Sequence, residues 1–553
     1  MKSLLSPPGR TALSVIALIF LSALLYLATG DFKRGLQLSA FAFPFIGIRL
    51  AALGTRFEKP AMLLACLGFF ILTSDAGVRV FLRQVYTAEP MSTFVLEAVA
   101  NTGPDEALGF VETLWSEILL WGGLSGLTLA LEIYLLSLCG AGEPMHCRTL
   151  RVSWRILLLL LTTAMILSFA KSSWRSHYPP WFWPNWQQAV LNLQSEWKNA
   201  KAEQQKELLA ARKSITYSKD APRTLVLVIG ESTTRDNWSL YGYERPTTPN
   251  LEALALADRR LKIIRHAWSV DAATVGAFHS MFTFPLDEKG IALRNSGKLR
   301  DGMDVGNLFA FFHAAGWRIH WISNQDDLAI NARYAGWADS TVFLNRMSGR
   351  TSVSLDGSVL APFAQALEDP APRKLIVIHL IGAHPHYSLR YPGSFSPDWG
   401  NDRIVEHLNE LDRYPWVIIS RNQYDAAMRY QDQVLSALLK LTREKSLQAT
   451  APADWIFLSD HGQETGEFIN RAGHSDRTPA GFRIPLLFWS SDDAPHMPEN
   501  RPFRADGLSP LLLSIAGIHW ARERSIENFA SKDYRWHRPA ISAEDPEMPP
   551  SDE

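Results

Sequence analysis

The sequence predicts an α/β domain that follows an N-terminal block of five membrane-spanning helices. Long apolar runs fill the first 170 residues, short β-rich runs alternate with helical stretches after Arg223, and polar residues suited to chemistry follow three of those runs. The 55 Lys and Arg residues balance the 56 Asp and Glu residues, which excludes a nucleic-acid binder held by a general basic field. All three cysteines precede residue 150, so no disulfide framework is expected.

Five apolar segments near the N-terminus approach the roughly 20 residues that a membrane-spanning helix needs. They are Thr11–Thr29, Leu36–Leu53, Ala61–Leu82, Thr113–Leu138 and Val152–Ala170. No small-x-small cleavage site follows the first segment, so we expect a retained helix rather than a signal peptide. Asp75 and Arg79 lie four residues apart in the third segment, where a helix that ends at the membrane interface is favoured over a buried ion pair.

The charged residues between these segments predict the orientation in the membrane. Basic residues mark the N-terminus and two loops as cytoplasmic, whereas the loop over residues 83–112 is mainly acidic. The basic residues are Lys2, Arg10, Arg56, Lys59, Arg148 and Arg151; Lys33 and Arg34 are exceptions to the pattern. Everything after residue 171 is therefore predicted to lie outside the cytoplasm.

Residues 171–220 are predicted to form a linker between the membrane block, residues 1–170, and the C-terminal domain, residues 221–543. Four tryptophans, a residue type that favours the membrane–water interface, lie at positions 174, 181, 183 and 186. A polar helix over Gln187–Lys213 follows, either bridging along the membrane surface or serving as a plain solvated connector. The acidic, proline-rich tail, residues 544–553, is expected to be disordered.

The C-terminal domain alternates apolar strands with helical stretches, the pattern of a mainly parallel central sheet with helices on both faces. The predicted strands are Thr224–Ile229, Arg318–Ile322, Lys374–Leu380, Trp455–Leu458 and Ile484–Trp489. The predicted helices are Asn250–Ala257, Val305–Ala315, Leu355–Leu367 and Asn422–Leu441.

Three of these strands end in residues that can bind metals or act as nucleophiles. In an open α/β sheet, the site lies at the carboxyl ends of the strands. Glu231 follows the first strand, His379 and His384 lie at the end of another, and Asp460 and His461 follow the fourth.

Two carboxylates and one imidazole suit Zn²⁺ or Mn²⁺, and three protein ligands leave a position open for catalysis. Taken singly, Asp460-His461 could be a turn with a surface histidine, and Glu231 could be a carboxylate near a helix dipole.

The residues over Gly230–Tyr243, with Arg245–Pro249, resemble the specific motif of the membrane phosphoethanolamine transferases. These are inner-membrane enzymes of Gram-negative bacteria with a sulfatase/alkaline-phosphatase-like periplasmic domain. Further matches follow in the same order at Trp321–Gln325, His379–His384, Ser459–Glu464 and Arg483–Leu487. Two features depart from the family: the C-terminal domain has no cysteine, and Gly103 replaces an asparagine in a family substrate motif.

The resemblance implies a zinc site made by Glu231, Asp460, His461 and a nucleophilic threonine, which matches Thr274. Ser232 and Thr233 are the alternative nucleophiles, and an ordinary helix N-cap is the alternative role of Thr274.

The resemblance also implies that His379, His384 and His474 line a phosphate site. A buried structural histidine is the alternative for His379, because that residue lies within a predicted strand.

The implied reaction transfers phosphoethanolamine from phosphatidylethanolamine to an envelope glycan through a phosphoethanolamine-threonine intermediate. The cofactor is one Zn²⁺ rather than Mn²⁺, and the acceptor is lipopolysaccharide, with the Trp321–Gln325 segment favouring the core over lipid A. The implied location is the Gram-negative inner membrane, with a cytoplasmic N-terminus and a periplasmic catalytic domain. The alternatives are a phosphoglycerol or phosphoethanolamine transferase acting on periplasmic glucans, an inactive envelope sensor, and a sulfatase. A sulfatase is disfavoured because the C-terminal domain contains no cysteine that could be modified to form its nucleophile.

Overall fold

The computed structural model describes residues 7–28, 40–86, 88–101, 111, 115–139, 163, 170, 175–295, 305–325, 330, 333–345, 353–395, 399–400, 402–448, 451–492 and 497–552. The chain divides into two compact units. The N-terminal unit comprises Met1–Ser195 with Arg346–Ser348, and the C-terminal unit comprises Glu196–Asn345 with Gly349–Glu553.

The described part of the N-terminal unit is helical. Its helices are α1 (Pro7–Leu27), α2 (Phe43–Ala51), α3 (Glu58–Tyr86), α4 (Thr93–Asn101), α5 (Trp115–Leu138) and the start of α6 (Pro179–Ser214). By length and composition, α3 and α5 can cross a membrane, whereas the apolar parts of α1 and α2 are shorter. The fifth predicted span, Val152–Ala170, lies outside the described residues except for positions 163 and 170.

Asp75 and Arg79 form a buried ion pair inside α3, so the prediction that the helix ends at these residues is wrong. Arg79 Nε lies 2.9 Å from Asp75 Oδ2, and α3 continues to Tyr86. The Tyr26 hydroxyl donates to Asp75 at 2.8 Å, and the Trp183 indole donates to it at 3.0 Å. The pairing and the added hydrogen bonds offset the cost of burying these charges.

The polar linker helix is confirmed as α6, which begins earlier than predicted and includes three of the four tryptophans. Within the N-terminal unit, the Trp186 indole donates to the carbonyl of Pro90 at 2.6 Å. Within the C-terminal unit, Ala211 is fully buried and Leu208 packs against the core. Each end of the helix therefore packs within its own unit.

The C-terminal unit is built on a seven-stranded sheet. Its strands are β1 (Arg223–Gly230), β2 (Lys262–Ile264), β3 (Arg318–Ser323), β4 (Ser340–Phe343), β5 (Arg373–His379), β6 (Ala453–Ser459) and β7 (Leu486–Ser490). They lie in the order β2-β7-β6-β1-β5-β3-β4. Only β7 runs against its neighbours, so the predicted sheet is confirmed in a mixed form. All five predicted strands are present; the short edge strands β2 and β4 were not predicted.

Helices cover both faces of this sheet. They are α7 (Pro249–Ala257), α8 (Thr274–Phe282), α9 (Glu288–Asn295), α10 (Leu308–Ala314), α11 (Leu360–Leu367), α12 (Arg403–Glu410), α13 (Pro415–Gln448) and α14 (Leu508–Ala516). Alternate residues of β1 enter opposite cores: Leu225 and Leu227 pack with α8, α10 and α14, whereas Val226 and Val228 pack with α7, α11 and α13. Burial on both faces explains the continuous apolar runs of the strands.

Two-stranded ladders complete the unit. They pair Ile215–Ser218 with Ile518–Trp520, Thr283–Pro285 with Val305–Asn307, Ala267–Trp268 with Phe503–Arg504, and Glu464–Thr465 with Ala472–Gly473. The second pair corrects the helix predicted over Val305–Ala315. Its first three residues are a strand, and the Asn307 side chain caps α10 by accepting from two backbone amides.

The C-terminal tail is ordered through residue 552, so the prediction of disorder is wrong. Asp545 is buried and accepts hydrogen bonds from Arg483 Nη2 at 2.6 Å and from the Trp268 indole at 2.8 Å. Met548 is also buried. The tail is acidic, but a buried arginine and an indole far away in sequence provide its partners.

Candidate metal centre

The ends of β1 and β6 bring two carboxylates and a histidine together. These strands are parallel neighbours in the centre of the sheet, and Gly230 lies opposite Ser459. Glu231 and Asp460 are the next residues along, and the Asp460 amide donates to the carbonyl of Gly230 at 3.1 Å. The strand register therefore juxtaposes residues that are far apart in sequence.

The side chains of Glu231, Asp460, His461 and Thr274 converge. His461 Nε2 lies 3.4 Å from Asp460 Oδ2 and 3.5 Å from Glu231 Oε1. The Thr274 hydroxyl donates to Glu231 Oε2 at 3.0 Å and lies 3.5 Å from His461 Nε2. Glu231, Asp460 and His461 are at most 1% exposed, and each offers a ligand atom within 4.8 Å of the others.

This arrangement fits a cation. Asp460 Oδ1 accepts from the amides of Ser232 and His461, whereas Oδ2 is buried and accepts no hydrogen bond from the described residues. His461 Nδ1 lies 2.8 Å from the carbonyl of Gly462. A proton on Nδ1 would be donated to that carbonyl, which leaves the Nε2 lone pair facing the two carboxylates. A metal ion would satisfy these converging acceptors.

The electrostatics of the cluster also favour a bound cation. Burial and the adjacent Glu231 raise the pKa of Asp460 well above its usual value. Burial alone would raise the pKa of Glu231, but His461 and His384 lower it. Burial would lower the pKa of His461, but Asp460 and Glu231 raise it. A divalent cation would compensate the two buried carboxylates and compete with protons for the same atoms.

Of the three candidate nucleophiles, Thr274 has the accessible hydroxyl. Ser232 is fully buried and its hydroxyl donates to Glu231 Oε1 at 2.7 Å. Thr233 is fully buried and its hydroxyl donates to the Glu231 carbonyl at 3.2 Å. Thr274 is half-buried as the first residue of α8, whose N-cap is Ala273. The interpretation of Thr274 as an ordinary N-cap is therefore wrong.

Two of the three predicted phosphate-site histidines lie at the cluster. The His474 ring centroid is 4.8 Å from that of His461 and 6.2 Å from that of His384. His384 and His474 also form, with Glu231, a second group of closely spaced ligand atoms.

His379 does not belong to either group of ligand atoms among the described residues. Its ring packs 4.7 Å from Phe278 and 6.3 Å from Trp321, between centroids, and is fully buried. Burial lowers its pKa to about 4. His379 thus packs in the core beside α8, and its role at the phosphate site stays a prediction.

Sequence reasoning gave no role to two residues that support the cluster. Gln325 follows β3 and donates through Nε2 to Glu231 Oε2 at 3.3 Å and to the Leu380 carbonyl at 3.1 Å. Asp356 accepts from the amides of Ile381 and Gly382 at 2.8 and 2.9 Å and thereby fixes the turn before His384. Gln325 could have been identified by its position directly after a strand. Asp356 begins a short 3-10 helix that is distant in sequence from the turn it supports, so the sequence pattern does not identify it.

Gly382 explains how closely this turn approaches the metal cluster. It has φ of +50°, and a Cβ atom there would lie 2.5 Å from the Glu231 carbonyl oxygen. Only glycine fits this position without displacing the backbone of a proposed ligand.

The chain is similar to known phosphoethanolamine transferases. The phosphoethanolamine transferase EptC of Escherichia coli is 33% identical over 289 residues, which span 50% of this chain and 46% of the relative. The phosphoethanolamine transferase CptA of Salmonella typhimurium is 33% identical over 290 residues, with the same shares of the two chains. The matches thus span about half the length of these curated relatives.

Similar solved structures include the C-terminal periplasmic domain of the Escherichia coli EptC protein in complex with zinc. It is 26% identical with a TM-score of 0.54, and the match covers 59% of this chain and 92% of that chain. The Sulfatase family matches residues 223–518, which make up more than half of the sequence. This range contains Glu231, Thr274, Asp460 and His461. The chain belongs to the sulfatase family.

Proposed function

We propose that this chain is a zinc-dependent phosphoethanolamine transferase that uses phosphatidylethanolamine as donor and lipopolysaccharide as acceptor. The observation that carries the proposal is the convergence of Thr274 with Glu231, Asp460 and His461 at the ends of two central strands. The 33% identity to named phosphoethanolamine transferases supports the head group.

The proposed metal ligands are Glu231, Asp460, His461 and Thr274. Two carboxylates and an imidazole suit Zn²⁺, and the zinc complex of the EptC domain supports that ion over Mn²⁺. When bound, zinc would lower the pKa of a coordinated hydroxyl and offset negative charge that develops in the transition state.

The protein residues then divide the work of the first transfer. Glu231 Oε2, at 3.0 Å, orients the Thr274 hydroxyl. Thr274 Oγ1 forms a bond to the phosphorus of phosphatidylethanolamine, the bond from phosphorus to the glycerol oxygen breaks, and diacylglycerol leaves with a proton. His384 and His474 lie where they can hold the phosphate oxygens.

In the second transfer a hydroxyl or phosphate of the glycan attacks the same phosphorus. The bond to Thr274 Oγ1 breaks, the threonine regains a proton, and phosphoethanolamine is carried by the acceptor. The two displacements together regenerate the enzyme.

The N-terminal unit would keep this chemistry where its lipid donor resides. Helices α3 and α5 are long and apolar enough to span a membrane. The distribution of basic residues supports a cytoplasmic N-terminus and a periplasmic C-terminal unit in the Gram-negative inner membrane.

Mass spectrometry of the protein after incubation with phosphatidylethanolamine and zinc tests the proposal. The expected result is a phosphoethanolamine adduct on the peptide that contains Thr274, together with free diacylglycerol. An adduct on another residue would overturn the nucleophile, and hydrolysis of an aryl sulfate without any adduct would favour a sulfatase.

Analysis of the envelope of a deletion strain tests the acceptor. We expect phosphoethanolamine to be lost from the lipopolysaccharide core. A loss confined to lipid A would instead identify lipid A as the acceptor. A loss confined to periplasmic glucans would favour the alternative transferase.

A further inference from the structure

We infer that Ser232 is a positioning residue that orients both metal-binding carboxylates at once. This inference rests on the proposed metal site and adds a residue that the ligand set does not include. Its hydroxyl and its amide contact different carboxylates, which come from neighbouring strands.

The two contacts fix one oxygen of each carboxylate. Ser232 Oγ donates to Glu231 Oε1 at 2.7 Å, and the Ser232 amide donates to Asp460 Oδ1 at 3.1 Å. The other oxygen of Glu231, Oε2, then faces the Thr274 hydroxyl, and Asp460 Oδ2 is left without a donor among the described residues. Ser232 thus contacts both carboxylates, together with the His461 amide, which also donates to Asp460 Oδ1, and with Gln325, which donates to Glu231 Oε2.

The backbone conformation of Ser232 is the second observation. Its φ is +57°, in the left-handed region that residues other than glycine rarely adopt. The Tyr424 hydroxyl donates to the Ser232 carbonyl at 2.8 Å, and the next amide, of Thr233, donates to Ser459 Oγ at 3.0 Å. The surrounding contacts hold the residue in a conformation that costs free energy.

A glycine would adopt this conformation without strain but would lack the hydroxyl. Folding alone therefore favours glycine at this position, whereas orientation of Glu231 needs a side-chain donor. The neighbouring Thr233 lacks this role, because its hydroxyl contacts the Glu231 backbone and Gln431 rather than a carboxylate.

Three substitutions separate the hydroxyl from the backbone. Ser232→Gly removes the hydroxyl and relieves φ, Ser232→Ala removes the hydroxyl and keeps the strain, and Ser232→Thr keeps the hydroxyl and adds a β-branch. Zinc affinity is measured on the full-length protein by competition with a chelator, and the thermal midpoint is measured on the metal-free protein.

We expect zinc affinity to depend on the presence of the hydroxyl, and the thermal midpoint to depend on how well the side chain tolerates the positive φ. Ser232→Ala and Ser232→Gly should both bind zinc about 10- to 100-fold more weakly than wild type, by similar factors. Ser232→Thr should stay close to the wild-type affinity. The metal-free Ser232→Gly protein should have a higher thermal midpoint than Ser232→Ala, and Ser232→Thr should have the lowest. Excess zinc should restore most of the transfer activity of Ser232→Gly, because the serine acts through the ligands.

Each other outcome overturns the inference in a distinct way. Wild-type zinc affinity in both Ser232→Ala and Ser232→Gly would show that the hydroxyl does not orient Glu231. Weak binding in Ser232→Ala alone would assign the effect to strain. If the wild-type protein itself binds no zinc, the proposed function fails first, and the positioning role fails with it.

Discussion

Thr274 differs from the other hydroxyls near the metal cluster because it is both half-exposed and within 3.0 Å of a carboxylate. At the scale of single residues, accessibility and hydrogen-bond partners therefore decide between neighbours of similar chemistry. The same criterion separates His384 and His474, which face the cluster, from His379, which packs among aromatic rings. These distinctions follow from the strand register and side-chain packing, which the sequence pattern does not specify.

Thr274→Ala should abolish the phosphoethanolamine adduct and reduce transfer by about 10³-fold or more. Zinc should remain bound, because Glu231, Asp460 and His461 still provide three ligands and water can take the open position. Thr274→Ser should retain part of the activity, since it keeps the hydroxyl on a side chain that is less restricted at χ1. Peptide mass spectrometry and zinc stoichiometry check these outcomes; a persistent adduct in the alanine variant would contradict them.

His379 should make the C-terminal unit less stable in acid. Burial lowers its pKa below the usual 6.5, to about 4, so the folded state binds a proton less readily than the unfolded chain. The stability associated with the neutral ring is fully present above about pH 6.5 and falls by about 3 kcal/mol as the pH drops through 4.

His379→Phe removes this titration and should flatten the loss of stability between pH 7 and pH 4. Urea unfolding of the metal-free protein measures the difference. An acid slope as steep as that of the wild type would show that His379 is not the group responsible.

Much of the long motif over Gly230–Tyr243 and Arg245–Pro249 contacts helix α13. Asp425, on α13, accepts hydrogen bonds from Asn237 at 2.7 Å, Tyr243 at 2.6 Å and Arg245 at 2.6 Å. All three donors belong to the segment after Glu231 by which the family resemblance was identified. Most of that motif therefore fixes the chain after β1 to α13, and only its first residues contribute to the metal cluster.

The C-terminal tail contacts the segment that precedes Thr274. Asp545 holds Trp268 and Arg483, and the next residue after Trp268, Ser269, donates to the Asp460 carbonyl at 2.5 Å. Asp545→Ala should therefore destabilise the fold by about 3 kcal/mol, because it leaves a buried arginine with weaker partners.

Glu544→Ala is the matched control for this prediction, since Glu544 is an exposed acidic neighbour. It should unfold at the wild-type denaturant concentration, whereas Asp545→Ala should unfold at a lower one. Equal midpoints for the two variants would contradict a structural role of the tail.

At the scale of the whole molecule, the boundary of the C-terminal unit lies earlier than the composition of the chain indicates. The predicted domain starts at residue 221, but Leu208 and Ala211 of α6 pack on the core, and Ile215–Ser218 pairs with Ile518–Trp520. Polar residues surround these few contacts in the sequence, so hydropathy alone does not reveal them.

Two soluble fragments test this boundary. A fragment of residues 196–553 should fold, whereas one of residues 220–553 loses the packed end of α6 and a strand pair. The shorter fragment should have a lower thermal midpoint, because it lacks the packing of Leu208 and Ala211 and the backbone hydrogen bonds of the strand pair. Calorimetry of both fragments measures the difference, and identical midpoints would place the boundary at residue 221 after all.

The interior of the fold could be predicted from the sequence, and its edges and long-range partners could not. The five predicted strands are apolar on both faces and therefore distinctive, whereas β2 and β4 have only three and four residues. Glu231, Asp460 and His461 were recognisable because they follow such strands. The order of the tail and the pairing of Asp75 with Arg79 depend on partners that composition does not identify.

The central position of β1 and β6 in the sheet should make the ends of these strands rigid. Both strands are hydrogen-bonded on each side and buried on both faces, so we expect their amides to be among the slowest to exchange with deuterium. Local fluctuations are then expected to leave the ends of both strands in place, which would keep Glu231, Asp460 and His461 together around the proposed zinc ion. Thr274, by contrast, is half-buried and is the first residue of α8. In the proposed mechanism, such a metal site would let the enzyme process many lipid and glycan molecules within the lifetime of one bound ion.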